Sequence, residues 1–170
     1  MQKAELLIAQ SDEVYTIKVN GRANFECGVP LREFAKKITA ATRGIIIDLQ
    51  ECVGMDSTFM GILSMIGLKT RNNGLTVEIT NAGTFNRNLL KGLGVEKLFK
   101  FTETTPAEPA NWARANTGQP DRIGTAETVV DAHKTLINID LDNLPKFEKV
   151  VEYAEEDLER LRQQKKNDIK

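Results

Sequence analysis

One stretch constrains the fold more than any other: residues 44–68, GIIIDLQECVGMDSTFMGILSMIGL. Ile45, Ile46 and Ile47 are consecutive and β-branched, which predicts a strand apolar on both faces. Such a strand lies inside a sheet, covered on both sides or nearly so. Residues 57–69 then read as a helix apolar almost all round, with Phe59, Met60, Ile62, Leu63, Met65, Ile66 and Leu68. A helix of that kind is largely buried, or keeps one face for a partner. Between strand and helix lies a short loop carrying Met55-Asp56-Ser57-Thr58. A buried strand joined to a buried helix needs further elements to cover both, and the neighbouring sequence supplies them.

Residues 5–9 form a short apolar run, and residues 14–19 alternate: Val14, Thr16 and Lys18 against Tyr15, Ile17 and Val19. With Ser11-Asp12-Glu13 as the turn, they predict a two-stranded hairpin. Asn20-Gly21 ends the second strand, and residues 23–29 read as a connection. Gly28 and Pro30 mark the start of a helix in which Leu31, Phe34, Ala35 and Ile38 recur at helical spacing. Asn72-Asn73-Gly74 is a stop signal, residues 75–80 are a strand, and residues 84–91 are a helix ending at Gly92. Leu93, Val95, Leu98, Phe99 and Phe101 form a last apolar patch, read as a short edge strand. Alternating strands and helices imply an α/β fold, a mixed sheet with crossover helices, over residues 1–102.

Residues 103–124 change character, holding Pro106, Pro109, Gly118, Pro120 and Gly124. They read as a linker or strap, with the single Trp, Trp112, pinning it to a domain surface. Residues 125–170 predict a C-terminal helical hairpin. Thr125 is the expected N-cap of its first helix, whose apolar stripe is Ala126, Val129, Val130, His133, Leu136 and Ile137. Asp142-Asn143 and Pro145 open the second, in which Leu144, Phe147, Val151, Ala154, Leu158 and Leu161 make a heptad-like seam. The seam suits packing on its own chain, and also a homodimer through these helices. His133, in the apolar stripe, reads as a packed or interface histidine, and the last residues, QQKKNDIK, as frayed.

Composition excludes several functions. The net charge is −1, with no basic block, which argues against nucleic acid as a partner. No apolar run reaches the roughly 18 residues of a membrane span. The first residues lack the pattern of a secretory signal, and Cys27 and Cys52 lack metal-ligand spacing, so a cytoplasmic location with reduced thiols is expected. One His rules out a multi-His metal site and argues against a His-based triad. No catalytic residue, metal or cofactor is expected.

That leaves the loop. A hydroxyl at a helix N-terminus has two ordinary uses. It caps the helix, worth about 1 kcal/mol, or it accepts a phosphate, which finds N–H donors and a favourable dipole there.

The pattern DLQECVGMDSTFMGIL, with a Lys near the helix end and a strand after Asn-Gly, resembles the STAS domain of bacterial anti-sigma factor antagonists. The resemblance covers residues 3–102 and includes the stretch from Asn88-Leu89-Leu90 to Gly94-Val95. It implies a STAS-like mixed β-sheet with helices packed against it, here with a C-terminal helical extension. The family's phosphoacceptor is the Ser directly after the Asp, which lands on Ser57. Asp48 and Asp56 match the acidic positions flanking it, and Thr58 the neighbouring hydroxyl. Phe59 stands where the family usually has Gly, while Gly61 is kept. That ring either enters the core or alters the partner surface, which Met60 is also placed to line.

The resemblance implies partner switching. The unphosphorylated domain binds an anti-sigma factor that is also a serine kinase, phosphorylation of Ser57 releases it, and a metal-dependent serine phosphatase resets the switch. The ATP and Mg²⁺ belong to the kinase. The alternative is a non-switching STAS scaffold or oligomerisation module of a signalling assembly.

Overall fold

The computed structural model describes residues 4–103, 109, 111–115, 118 and 121–170. Strands β1 (Glu5–Ser11) and β2 (Val14–Ala23) form the expected antiparallel hairpin, with Asp12 at φ 54° in its turn. Helix α1 (Phe25–Ala35) follows, then β3 (Gly44–Asp48), β4 (Cys52–Met55) and α2 (Ser57–Asn72). The chain continues through β5 (Val77–Thr80), α3 (Thr84–Gly92), a 3-10 turn at Glu96–Leu98, and β6 (Phe99–Thr102). Strand β7 (Ala113–Arg114) leads to α4 (Arg122–Ile139), a second 3-10 turn (Leu141–Asn143) and α5 (Leu144–Asp168).

The sheet order is β6-β5-β3-β2-β1-β7, with β4 beside the end of β2. Pairings among β2, β3, β5 and β6 are parallel, as crossover helices require. β3 is central as expected. Ile45 and Ile47 are fully buried, whereas Ile46 on the other face is only half-buried. The main core joins the sheet to α1 and α2 through Ile17, Leu31, Ile47, Phe59 and Ile62.

Three expectations about boundaries are corrected. α1 starts at Phe25, before Gly28 and Pro30, because Asn24 is its N-cap: Glu26 N donates to Asn24 Oδ1 at 3.0 Å. Pro30 is carried inside the helix and forfeits one backbone bond. α4 starts at Arg122 because Asp121 caps it ahead of Thr125, accepting from the N–H of Ile123 and Gly124. α5 continues to Asp168, through most of the segment expected to fray. The strand β4, which holds Cys52, is absent from the sequence reading. Its four residues pair with the extension of β2 beyond a register shift at Gly21.

The strap contributes an edge strand: β7 pairs antiparallel with β1, and Trp112 lies half-buried with Lys18 Nζ 6.0 Å from its ring centre. Pro106 and Pro120 lie outside the described residues. The two C-terminal helices pack on their own chain. Ala132 and Leu136 of α4 belong to the main core, and Ala126, Val130, Leu158 and Leu161 form a smaller one between α4 and α5. Along the α5 seam Leu144 is exposed, Phe147, Val151 and Ala154 are half-buried, and Leu158 and Leu161 are buried.

Candidate functional site

Strand β3 and the β4 loop deliver the chain to the N-terminus of α2. Asp56 N donates to Ala23 O at 2.9 Å, which ties this point to the end of β2. Asp56 itself is the N-cap: Phe59 N donates to its Oδ1 at 2.7 Å, and Met60 N donates to its carbonyl at 3.0 Å. The capping role open to Ser57 therefore falls to its neighbour. Burial pushes the Asp56 carboxyl up, against the lowering effect of the Phe59 and Phe25 N–H groups and of the His133 and Arg22 charges. Asp48, at the end of β3, is buried and accepts from Gln50 N at 2.9 Å.

Ser57 is the first residue of α2 and is half-buried. Its Oγ lies 2.8 Å from Nε2 of His133. The other ring nitrogen, Nδ1, lies 2.6 Å from the Val129 carbonyl one turn earlier in α4. A carbonyl only accepts, so Nδ1 carries the proton. In the neutral ring Nε2 is then an acceptor, and the Ser57 hydroxyl donates to it. Burial lowers the His133 pKa below 6.5, opposed by the Val129 hydrogen bond and by Asp56. The ring is 2% exposed and packs edge-on against Phe147 of α5, with centres 5.0 Å apart.

The remaining predicted positions are mostly interior. Phe59 is fully buried, so its ring enters the core and leaves the surface beside Ser57 unaltered. Met60 and Thr58 are buried as well. At Gly61 the backbones of α2 and α4 approach closely: a Cβ placed there would stand 2.6 Å from Ala132 Cβ and 2.7 Å from the Ala132 carbonyl carbon. At Gly28 of α1, an added Cβ would meet the methyls of Thr58 and Thr128 at 3.4 and 3.7 Å. Arg32 of α1 completes the clamp, with Nε 2.8 Å from Asp131 and Nη1 3.4 Å from Glu127 of α4.

His133 is the site residue missed by sequence reasoning, which placed no base near Ser57. The two are 76 positions apart, and only the docking of α4 on α2 joins them. The available signal was the run of small residues on α2. Gly61 seats α4, and Gly67 seats Leu98 and Phe99.

A mixed sheet fed by a β-hairpin, with α1 and α2 packed against it, is a STAS-like fold, as likeness to solved structures shows. Two solved structures share it. SpoIIAA, an anti-sigma factor antagonist, in its unphosphorylated form matches with a TM-score of 0.50 and 14% identity, over 59% of this chain and 89% of that one. A candidate anti-sigma factor antagonist from Thermotoga maritima matches with a TM-score of 0.50 and 15% identity, over 57% of this chain and 85% of that one. No protein-family model and no curated protein matches the sequence. Among the described residues no helix is long and apolar enough to cross a membrane.

Proposed function

We propose that this chain is a cytoplasmic anti-sigma factor antagonist that works by partner switching, with Ser57 as its phosphoacceptor. Unphosphorylated, it binds an anti-sigma factor serine kinase. The kinase then transfers phosphate: Ser57 Oγ attacks the γ-phosphorus of ATP, its proton passes to the kinase's base, ADP leaves, and the complex separates. A serine phosphatase hydrolyses the ester to inorganic phosphate and restores the hydroxyl.

One observation carries this reading. Ser57 heads α2 on a fold shared with anti-sigma factor antagonists, and its hydroxyl has no capping duty because Asp56 supplies the cap. The charge argument supports release. A phosphate adds about −1.5 to −2 charge at neutral pH. It would stand next to Asp56, in a contact built from apolar and half-buried groups.

The Ser57–His133 pair has the spacing of a nucleophile and base, yet other features favour a non-catalytic role. Nδ1 is held by a carbonyl where a triad has a carboxylate, and Asp56 is turned to the N–H of Phe59. Neither Ser57 nor His133 lines the large cleft among β1, α1, α4 and α5.

Intact-mass analysis of the chain incubated with its kinase and ATP tests the site. One phosphate is expected on wild type and none on Ser57→Ala; full phosphorylation of Ser57→Ala sinks the assignment. A scaffold reading draws on the exposed Leu144, Val150 and Tyr153 of α5. Light scattering that returns a monomer removes it.

A further inference from the structure

We propose that α4 is an intramolecular occupant of the Ser57 face, so that docked α4 and an accessible Ser57 are alternative states of the chain. The proposal rests on the reading of Ser57 as a phosphoacceptor and adds a regulator from within the same polypeptide.

The geometry is one of exclusion. A kinase must bring Ser57 Oγ against the γ-phosphate of ATP. In the docked chain that oxygen is hydrogen-bonded to His133, and the α4 backbone rests on Gly61 one turn along α2. A backbone-to-backbone seat of this kind has no slack for a phosphoryl group, still less for a kinase. Phosphorylation in turn removes the proton that Ser57 donates to Nε2, since an ester oxygen has none, and adds negative charge beside Asp56. Each state therefore disfavours the other, and by linkage the coupling is reciprocal.

The docked helix also shows what the face accepts. It receives a helix with a small residue over Gly61, a hydrogen-bonding side chain at Ser57, and carboxylates one turn apart for Arg32: Ala132, His133, Glu127 and Asp131. α4 and α5 share a small core of their own, Ala126, Val130, Leu158 and Leu161. Phe147 packs on the main core, Asn143 Nδ2 donates to Leu93 O at 2.8 Å and Lys146 Nζ to Gly92 O at 3.1 Å, so the hairpin leaves as a unit only when these contacts break as well. Ala132 and Leu136 are fully buried in the main core, so the docked state dominates until a partner or trigger competes.

The experiment is amide hydrogen exchange on the full chain, wild type against Asp131→Arg, Gly61→Ala and the charge swap Arg32→Glu/Asp131→Arg. Ser57 phosphate is measured on the same proteins recovered from the native cell. Expected is about tenfold faster exchange through α4 in Asp131→Arg, the scale of a lost charge-assisted hydrogen bond. Gly61→Ala should do likewise, β3 and β5 should stay protected, and the charge swap should restore α4. Ser57 phosphate should rise in both opened proteins. Unchanged α4 exchange in both variants overturns the proposal, as does Ser57 phosphate that is present and equal on opened and closed chains. Faster α4 exchange with no phosphate on Ser57 in any protein, opened ones included, instead upholds α4 as a displaceable cover and sinks the phosphoacceptor reading.

Discussion

Replacing Gly61 with Ala puts the α2–α4 contact to a quantitative test. The added methyl would stand 2.6 Å from Ala132 Cβ and 2.7 Å from its carbonyl carbon. Carbon atoms rest at about 3.5–4.0 Å, so one helix must retreat by roughly 1 Å. The atoms met are backbone and Cβ, with no flexible side-chain end to swing aside. Overpacking of this kind costs about 1–3 kcal/mol, and only in the docked state. The same methyl favours helix in α2 by about 1 kcal/mol, docked or not. Docking should therefore weaken by roughly 5- to 150-fold, while global stability falls by no more than about 2 kcal/mol. Hydrogen exchange separates the two, because α4 amides report docking and β3 amides report global unfolding. Slower or unchanged exchange in α4, together with a melting temperature raised by the full helix-propensity gain, would refute the contact.

Two further outcomes follow from buried titrating groups. Burial holds the His133 pKa below 6.5, against the Val129 carbonyl and Asp56, which push it up. An undocked His133 titrates near its ordinary value, so the undocked state binds more protons as pH falls below about 6.5. Docking of α4 should be constant above that pH and weaken below it, by at most about tenfold per pH unit for one proton. Exchange in α4, corrected for its intrinsic pH dependence, measures this, and tighter docking on acidification would contradict it. Burial likewise pushes the Cys27 thiol up to about 11 from 9.0, with the Asn24 backbone opposing and Glu26 adding to it. Thiolate content alone should slow alkylation of Cys27 about 100-fold relative to the unfolded chain. Rapid labelling of the native protein would show that the site opens.

The sheet was legible because its signals are local. The hairpin follows from period-two alternation in residues 14–19, and the central strand from Ile45–Ile47. What escaped depended on competition between neighbours. Gly28 and Pro30 read as a helix start until the side chain of Asn24 is seen to take the cap, and Thr125 read as a cap until Asp121 is seen to precede it. Four residues of β4 carry too little pattern to announce a strand, and they pair only because β2 continues past Gly21.

The site shows the same limit at longer range. A helix apolar all round has two explanations, burial or a partner, and on α2 they converge. One side faces the sheet, with Phe59 and Ile62 in its core, and another receives Ala132 of the same chain. No periodicity within residues 57–69 separates a face covered by α4 from one covered by another molecule, because both need the same apolar and small side chains. His133 carried the missing information. A histidine in an apolar stripe needs a partner for each ring nitrogen. Val129 satisfies one from within the helix, which leaves Nε2 to find a donor on the surface beneath. Ser57 is a hydroxyl relieved of capping by Asp56, so the same substitution, Ser57→Ala, removes both the proposed phosphoacceptor and the donor to a buried imidazole. Its loss of phosphate reads the first role, and faster exchange in α4 reads the second. An α4 as protected in Ser57→Ala as in wild type would mean that the hydrogen bond is incidental to docking.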